Sequence, residues 1–148
     1  MSERMNEPWL KTSLQFLYRK IGRIVRRNAG NRHMHVASLR AGDCVRVNSG
    51  VRDPDFGMDI GGWQGRIREP EKEGIVLVAW DSITLKNMGV PLIVRCEREN
   101  LDWEVMALSV SELSKAPCRD THRAVSATVA SITAKLLEDA RLKDIFGP

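Results

Sequence analysis

The chain has 148 residues and a mass of 16.7 kDa, the size of one ordinary domain and enough to bury a core without disulfides or metal. Its 43% hydrophobic and 28% charged residues match a globular protein. With no apolar run near the ~18 residues of a membrane span and a polar Met-Ser-Glu-Arg start, these features exclude membrane-spanning, collagen-like and disulfide mini-protein classes and predict a cytoplasmic location.

Charge divides the chain. Residues 1–40 hold nine basic and two acidic side chains, a net +7; the whole chain is +4, so the other 108 residues carry −3. The spacing Leu10, Leu14, Leu17, Ile21, Ile24 predicts a helix over about Pro8 to Asn28, with Pro8 in its first turn and Gly30 as a stop. Arg19, Lys20, Arg23, Arg26 and Arg27 make this arm basic. Such an arm suits nucleic acid, an anionic membrane surface, the acidic body of its own chain, or a second copy.

Residues 36–116 read as short strands. Asp43–Val47, Gly65–Glu69, Ile75–Trp80, Ser82–Leu85, Leu92–Cys96 and Trp103–Val110 are separated by turn residues, Lys72-Glu73-Gly74 among them. Five or six short strands at this spacing predict a small closed barrel, which leaves no unpaired edges. The stripe Val125, Val129, Ile132, Leu136 then predicts a C-terminal helix over about Thr121 to Lys143, capped by the Asp120 carboxylate. The expected organisation is an arm (1–35), a barrel (36–116) and a C-terminal helix (117–148) packed on the barrel or on a partner subunit. The matching narrow stripes of the two terminal helices point to a homo-oligomer.

Cys44, Cys96 and Cys118 are odd in number and form no Cys-x-x-Cys pair, so they read as reduced thiols, with Cys44 a small apolar group in a strand. His33 and His35 alone do not complete a metal site. No nucleophile elbow, phosphate-binding glycine loop or His-Glu-x-x-His is present, and the expectation is a non-enzyme without cofactor or metal.

The most informative stretch is Gly50 to Gly65, with five glycines able to take positive φ and Asp53-Pro54-Asp55 at its head. Long ordered loops on small domains carry function. Asp53, Asp55 and Asp59 raise the question of calcium, but Met58 stands where an EF-hand needs glycine and Gln64 where it needs glutamate; Asp side chains closing their own turns fit better. Trp63 follows the loop, Trp80 ends the strongest strand and Trp103 opens the last strand region. Placed at strand ends, they are expected to line a groove for a protein or peptide segment. The candidate binding residues are therefore Asp53, Asp55, Phe56, Asp59, Trp63, Trp80 and Trp103.

The strings Gly42-Asp43-Cys44-Val45-Arg46-Val47, Asp53 to Ile67 (DPDFGMDIGGWQGRI) and Trp80 to Met88 (WDSITLKNM) resemble an uncharacterised bacterial group of SH3-like small barrels, over about residues 40–115. The chain is also similar to products of mobile gene cassettes. The resemblance implies an α+β protein, an SH3-like antiparallel β-barrel flanked by an N-terminal and a C-terminal α-helix, acting as a binding module. It brings no assigned ligand.

Overall fold

A computed structural model describes residues 39–146. The predicted N-terminal helix, with Arg19, Lys20, Arg23, Arg26 and Arg27, and the histidines at 33 and 35 lie outside the described residues. Five strands form one antiparallel sheet in the order β4-β3-β2-β1-β5. They are β1 (Cys44–Val47), β2 (Gln64–Lys72), β3 (Ile75–Trp80), β4 (Val105–Ser109) and β5 (Leu113–Lys115). Lys72-Glu73-Gly74 makes the β2–β3 hairpin, with Glu73 at φ 56° and Gly74 at φ 79°, the doubly positive backbone that a tight hairpin requires. Pro70 has no N–H to give the ladder, and the β2–β3 register shifts on either side of Glu69.

The sheet is open. β4 and β5 are hydrogen-bonded to one neighbour each and form its two edges, so the closed barrel expected from strand spacing is not made. A single 3-10 turn, Val110–Glu112, joins these two edge strands. The segments read as strands at Ser82–Leu85 and Leu92–Cys96 are instead helices α1 (Ser82–Met88) and α2 (Val90–Arg98). Local chemistry decides this: Asp81 caps α1, its Oδ1 accepting from Thr84 N at 2.8 Å, and Pro91 occupies the first turn of α2, where no N–H is needed. Ile93 and Cys96, three apart, turn the same face of α2 into the core.

The main core joins Val45, Val47, Ile67, Val76, Val78, Trp80 and Leu108 of the sheet with Leu85 and Ile93 of the two helices and Ile60 of the long loop. On β3 the alternate residues Ile75 and Leu77 meet Val105 and Ala107 in a second cluster, so β3 is buried on both faces and reads as a continuous apolar run.

The chain ends in helix α3 (His122–Phe146), which packs on α1 and lays Val125, Val129, Ile132 and Leu136 against the main core. Its first turn is capped by Thr121, whose Oγ1 accepts from Ala124 N at 3.2 Å, and not by Asp120, whose carboxylate is used elsewhere. A disulfide joins Cys44 in β1 to Cys118 just before α3, with the Cα atoms 5.3 Å apart, a normal span for the bond. This corrects the reading of Cys44 and Cys118 as reduced thiols and of Cys44 as an apolar group, while Cys96 stays a buried thiol as read; a pairing across 74 positions leaves no local motif in the sequence.

Candidate functional site

The Gly50–Gly65 loop folds on itself. Val51 O accepts from Ile60 N at 3.0 Å, Met58 O from Asp53 N at 2.8 Å, and Asp53 O from Gly57 N at 2.9 Å. Arg52 and Asp59 make an isolated antiparallel bridge. Two of the three loop aspartates close turns: Asp53 Oδ2 accepts from Phe56 N at 2.6 Å and Asp59 Oδ1 from Gly61 N at 2.8 Å. Among the described residues, no three His, Cys, Asp or Glu side chains are placed to share a metal ion. The loop ends at Gly65, where an added Cβ would lie 2.2 Å from the backbone oxygen of Ala79; only glycine lets β2 approach β3 this closely.

Folded in this way, the loop forms one wall of an apolar pocket. Asp53, Asp55, Phe56, Met58 and Trp63 come from the loop; Trp80 from the end of β3; Met88 from α1; Leu92 and Cys96 from α2; and Leu101, Asp102, Trp103 and Met106 from the α2–β4 connection and β4. The space among these side chains, including its solvent-open mouth, is about 340 Å³, at the small end of the range for ligand sites.

Six of the seven residues singled out from the sequence line this pocket; Asp59 does not. The indoles, however, do not stand outward as a row. Trp80 is 2% and Trp103 7% exposed, so both belong to the core and reach the pocket only from within it, while Trp63 is half-buried. The reason is packing: Trp63 and Trp80 meet edge to face, centroids 5.1 Å apart at 87°, and the Trp103 Nε1–H donates to Glu97 Oε1 at 2.8 Å, which satisfies its one polar group. The accessible apolar part of the pocket is therefore Phe56, Met58, Trp63, Met88, Leu92, Leu101 and Met106, each partly buried. The Arg95 guanidinium lies 3.9 Å over the Phe56 ring, a cation–π contact. Every described methionine, and Cys96 as well, lines this pocket. Sequence reasoning missed the methionines, Leu92 and Cys96 because most of them sit on the helices read as strands.

A second polar constellation lies behind the pocket wall, where α3 begins. Asp81 takes two bonds from Arg119, Nε to Oδ2 and Nη2 to Oδ1, both 2.8 Å. Thr84 Oγ1 accepts from Gln64 N and donates to Gln64 O, both at 3.0 Å. Asp120 Oδ2 accepts from Ser82 N at 2.6 Å. Its Oδ1 is 2.7 Å from Arg66 Nη1, an ion pair lying off the hydrogen-bond line, and Arg66 also donates to the Asp120 backbone carbonyl. Burial pushes the Asp120 carboxyl up, but the Ser82 hydroxyl and amide and the Arg66 guanidinium outweigh it and hold the group below the usual range. The cleft beside this network admits no water-sized body. Its groups bind one another and fasten the α3 start to β2 and α1, which is an anchoring arrangement.

No protein-family model matches the chain, no curated protein matches its sequence, and no solved structure matches its fold. No described helix is long and apolar enough to cross a membrane.

Proposed function

We propose that the protein is a non-catalytic interaction module that captures a protein segment by taking one of its apolar side chains into the pocket beneath the Gly50–Gly65 loop. The observation that carries this reading is the convergence there of Phe56, Trp63 and three methionines. Methionine side chains are flexible and polarizable, so a pocket lined by them accepts apolar groups of differing shape. The strand order β4-β3-β2-β1-β5, with one 3-10 turn between β4 and β5, supports reading the sheet as an SH3-like arrangement with α1 and α2 inserted between β3 and β4. The pocket then opens between the long β1–β2 loop and this insertion.

Selection of random dodecapeptides against the full chain tests the proposal. Enriched peptides are expected to compete with one another and to lose binding to a Met88→Glu variant whose thermal midpoint is unchanged. Peptides that bind the variant as well as the parent protein, or no enrichment at all, would refute it.

A further inference from the structure

The charged residues that line the pocket are all acidic. Its lining contains Asp53, Asp55 and Asp102 but no lysine, arginine or histidine. Beside Trp103 more acidic groups gather: Glu97 holds the indole N–H at 2.8 Å, Asp102 Oδ1 accepts from the Glu104 backbone N–H at 2.9 Å, and Asp102 and Glu104 flank the tryptophan in the chain. The Glu104 carboxyl is pushed up from its ordinary range, first by burial, then by Asp102 and Glu97, against a smaller opposing pull from Arg68. The parts of this rise that come from Asp102 and Glu97 mean that the three carboxyls feel one another at this corner of the pocket. On the other side of the pocket, Arg95 stacking on Phe56 is an example within the fold of a guanidinium resting on this aromatic surface.

We infer that the segment captured by this pocket is cationic: a lysine- or arginine-bearing peptide whose single aromatic or long aliphatic side chain enters the pocket while its charges lie along Asp102 and Glu104. The inference rests on the pocket being a peptide site, and adds the chemistry of its occupant. Apolar insertion supplies the anchor, and the carboxylate rim selects against acidic segments and speeds encounter with basic ones.

Four fluorescein-labelled nonapeptides test it against the full chain by anisotropy: acetyl-Lys-Lys-Ser-Trp-Lys-Lys-Ser-Lys-Lys-amide, the same peptide with every lysine replaced by serine, with every lysine replaced by glutamate, and with its tryptophan replaced by serine. In parallel, the ¹³C-methyl signals of Met58, Met88 and Met106 report where each peptide sits. The lysine–tryptophan peptide is expected to bind at least tenfold more tightly than the other three and to shift all three methyl signals. The double substitution Asp102→Asn with Glu104→Gln is expected to reduce its advantage over the serine peptide to less than threefold.

Equal binding of the lysine and serine peptides would overturn the inference and leave the pocket standing as a peptide site. Equal binding of the lysine peptides with and without tryptophan would overturn it in favour of simple attraction to an acidic surface. Methyl signals that change on dilution of the protein alone would put a second copy in the pocket and overturn it as well. Unmoved methyl signals with every peptide would overturn both the inference and the reading beneath it.

Discussion

Breaking the Cys44–Cys118 bond should cost stability without unfastening the helix it precedes. The two cysteines are 74 positions apart, so the bond closes a loop spanning most of the described domain. Chain-entropy reasoning for a loop of that length gives about 4 kcal/mol at 25 °C, gained by restricting the unfolded chain. In the folded state, the residues that follow Cys118 have their own attachments: Arg119 on Asp81 and Asp120 on Ser82 and Arg66. A Cys118→Ser variant, or the parent protein under reductant, should therefore keep its helical circular dichroism and α3 packing at 25 °C. In urea its unfolding midpoint should fall by roughly 2–3 M, for a slope of ~1.5 kcal/mol/M. A midpoint drop below about 0.5 M, with unchanged slope, would refute the loop-closure reasoning; early loss of the α3 signal would refute the claim that the polar network anchors it independently.

The other predictions are local. Gly65→Ala places a methyl group 2.2 Å from the Ala79 carbonyl oxygen, and because a backbone atom must yield, a loss of about 3 kcal/mol or more is expected in denaturant titration; a loss within error would mean that β2 and β3 are further apart than described. Because Asp120 is held below its ordinary value near 3.8, its contribution is present above that value and lost as the pH falls through the lower folded value. Asp120→Asn should flatten the fall in stability on the acid side of that value and lower stability by about 3 kcal/mol at neutral pH, where Arg66 is left buried without its carboxylate; an unchanged pH profile would count against the pair. Glu104, raised from 4.5, works in the opposite direction, favouring the fold at low pH and losing that contribution as the pH rises through its folded value, so Glu104→Gln should raise stability slightly at neutral pH.

What was readable in the sequence follows the range of the interactions involved. The run Ile75–Trp80 and its Lys72-Glu73-Gly74 turn carry their structure locally, and both stand where the pattern put them. The stripe Val125, Val129, Ile132, Leu136 likewise becomes the buried face of a helix. Ser-Ile-Thr-Leu and Leu-Ile-Val-Arg-Cys are too short for periodicity to separate helix from strand, and their branched residues argued for strand; the Asp81 cap and Pro91 argued for helix and prevailed. Asp120 stands where a cap belongs, but ion pairing with Arg66, 54 positions away, and the Ser82 amide take its carboxylate. The long loop and its tryptophans were legible as a place of interest. That Trp80 and Trp103 would be drawn into the core, leaving Phe56, Trp63 and the methionines to form the accessible surface, depended on helices whose identity the local pattern obscured.

The most direct test of the pocket as a docking site is a methyl-methionine NMR titration of the full chain with an enriched dodecapeptide. The account predicts that Met58, Met88 and Met106 shift together along one saturation curve, and that Leu92→Asp removes the shifts and the affinity together. Tight peptide binding with all three methyl signals in place would contradict it.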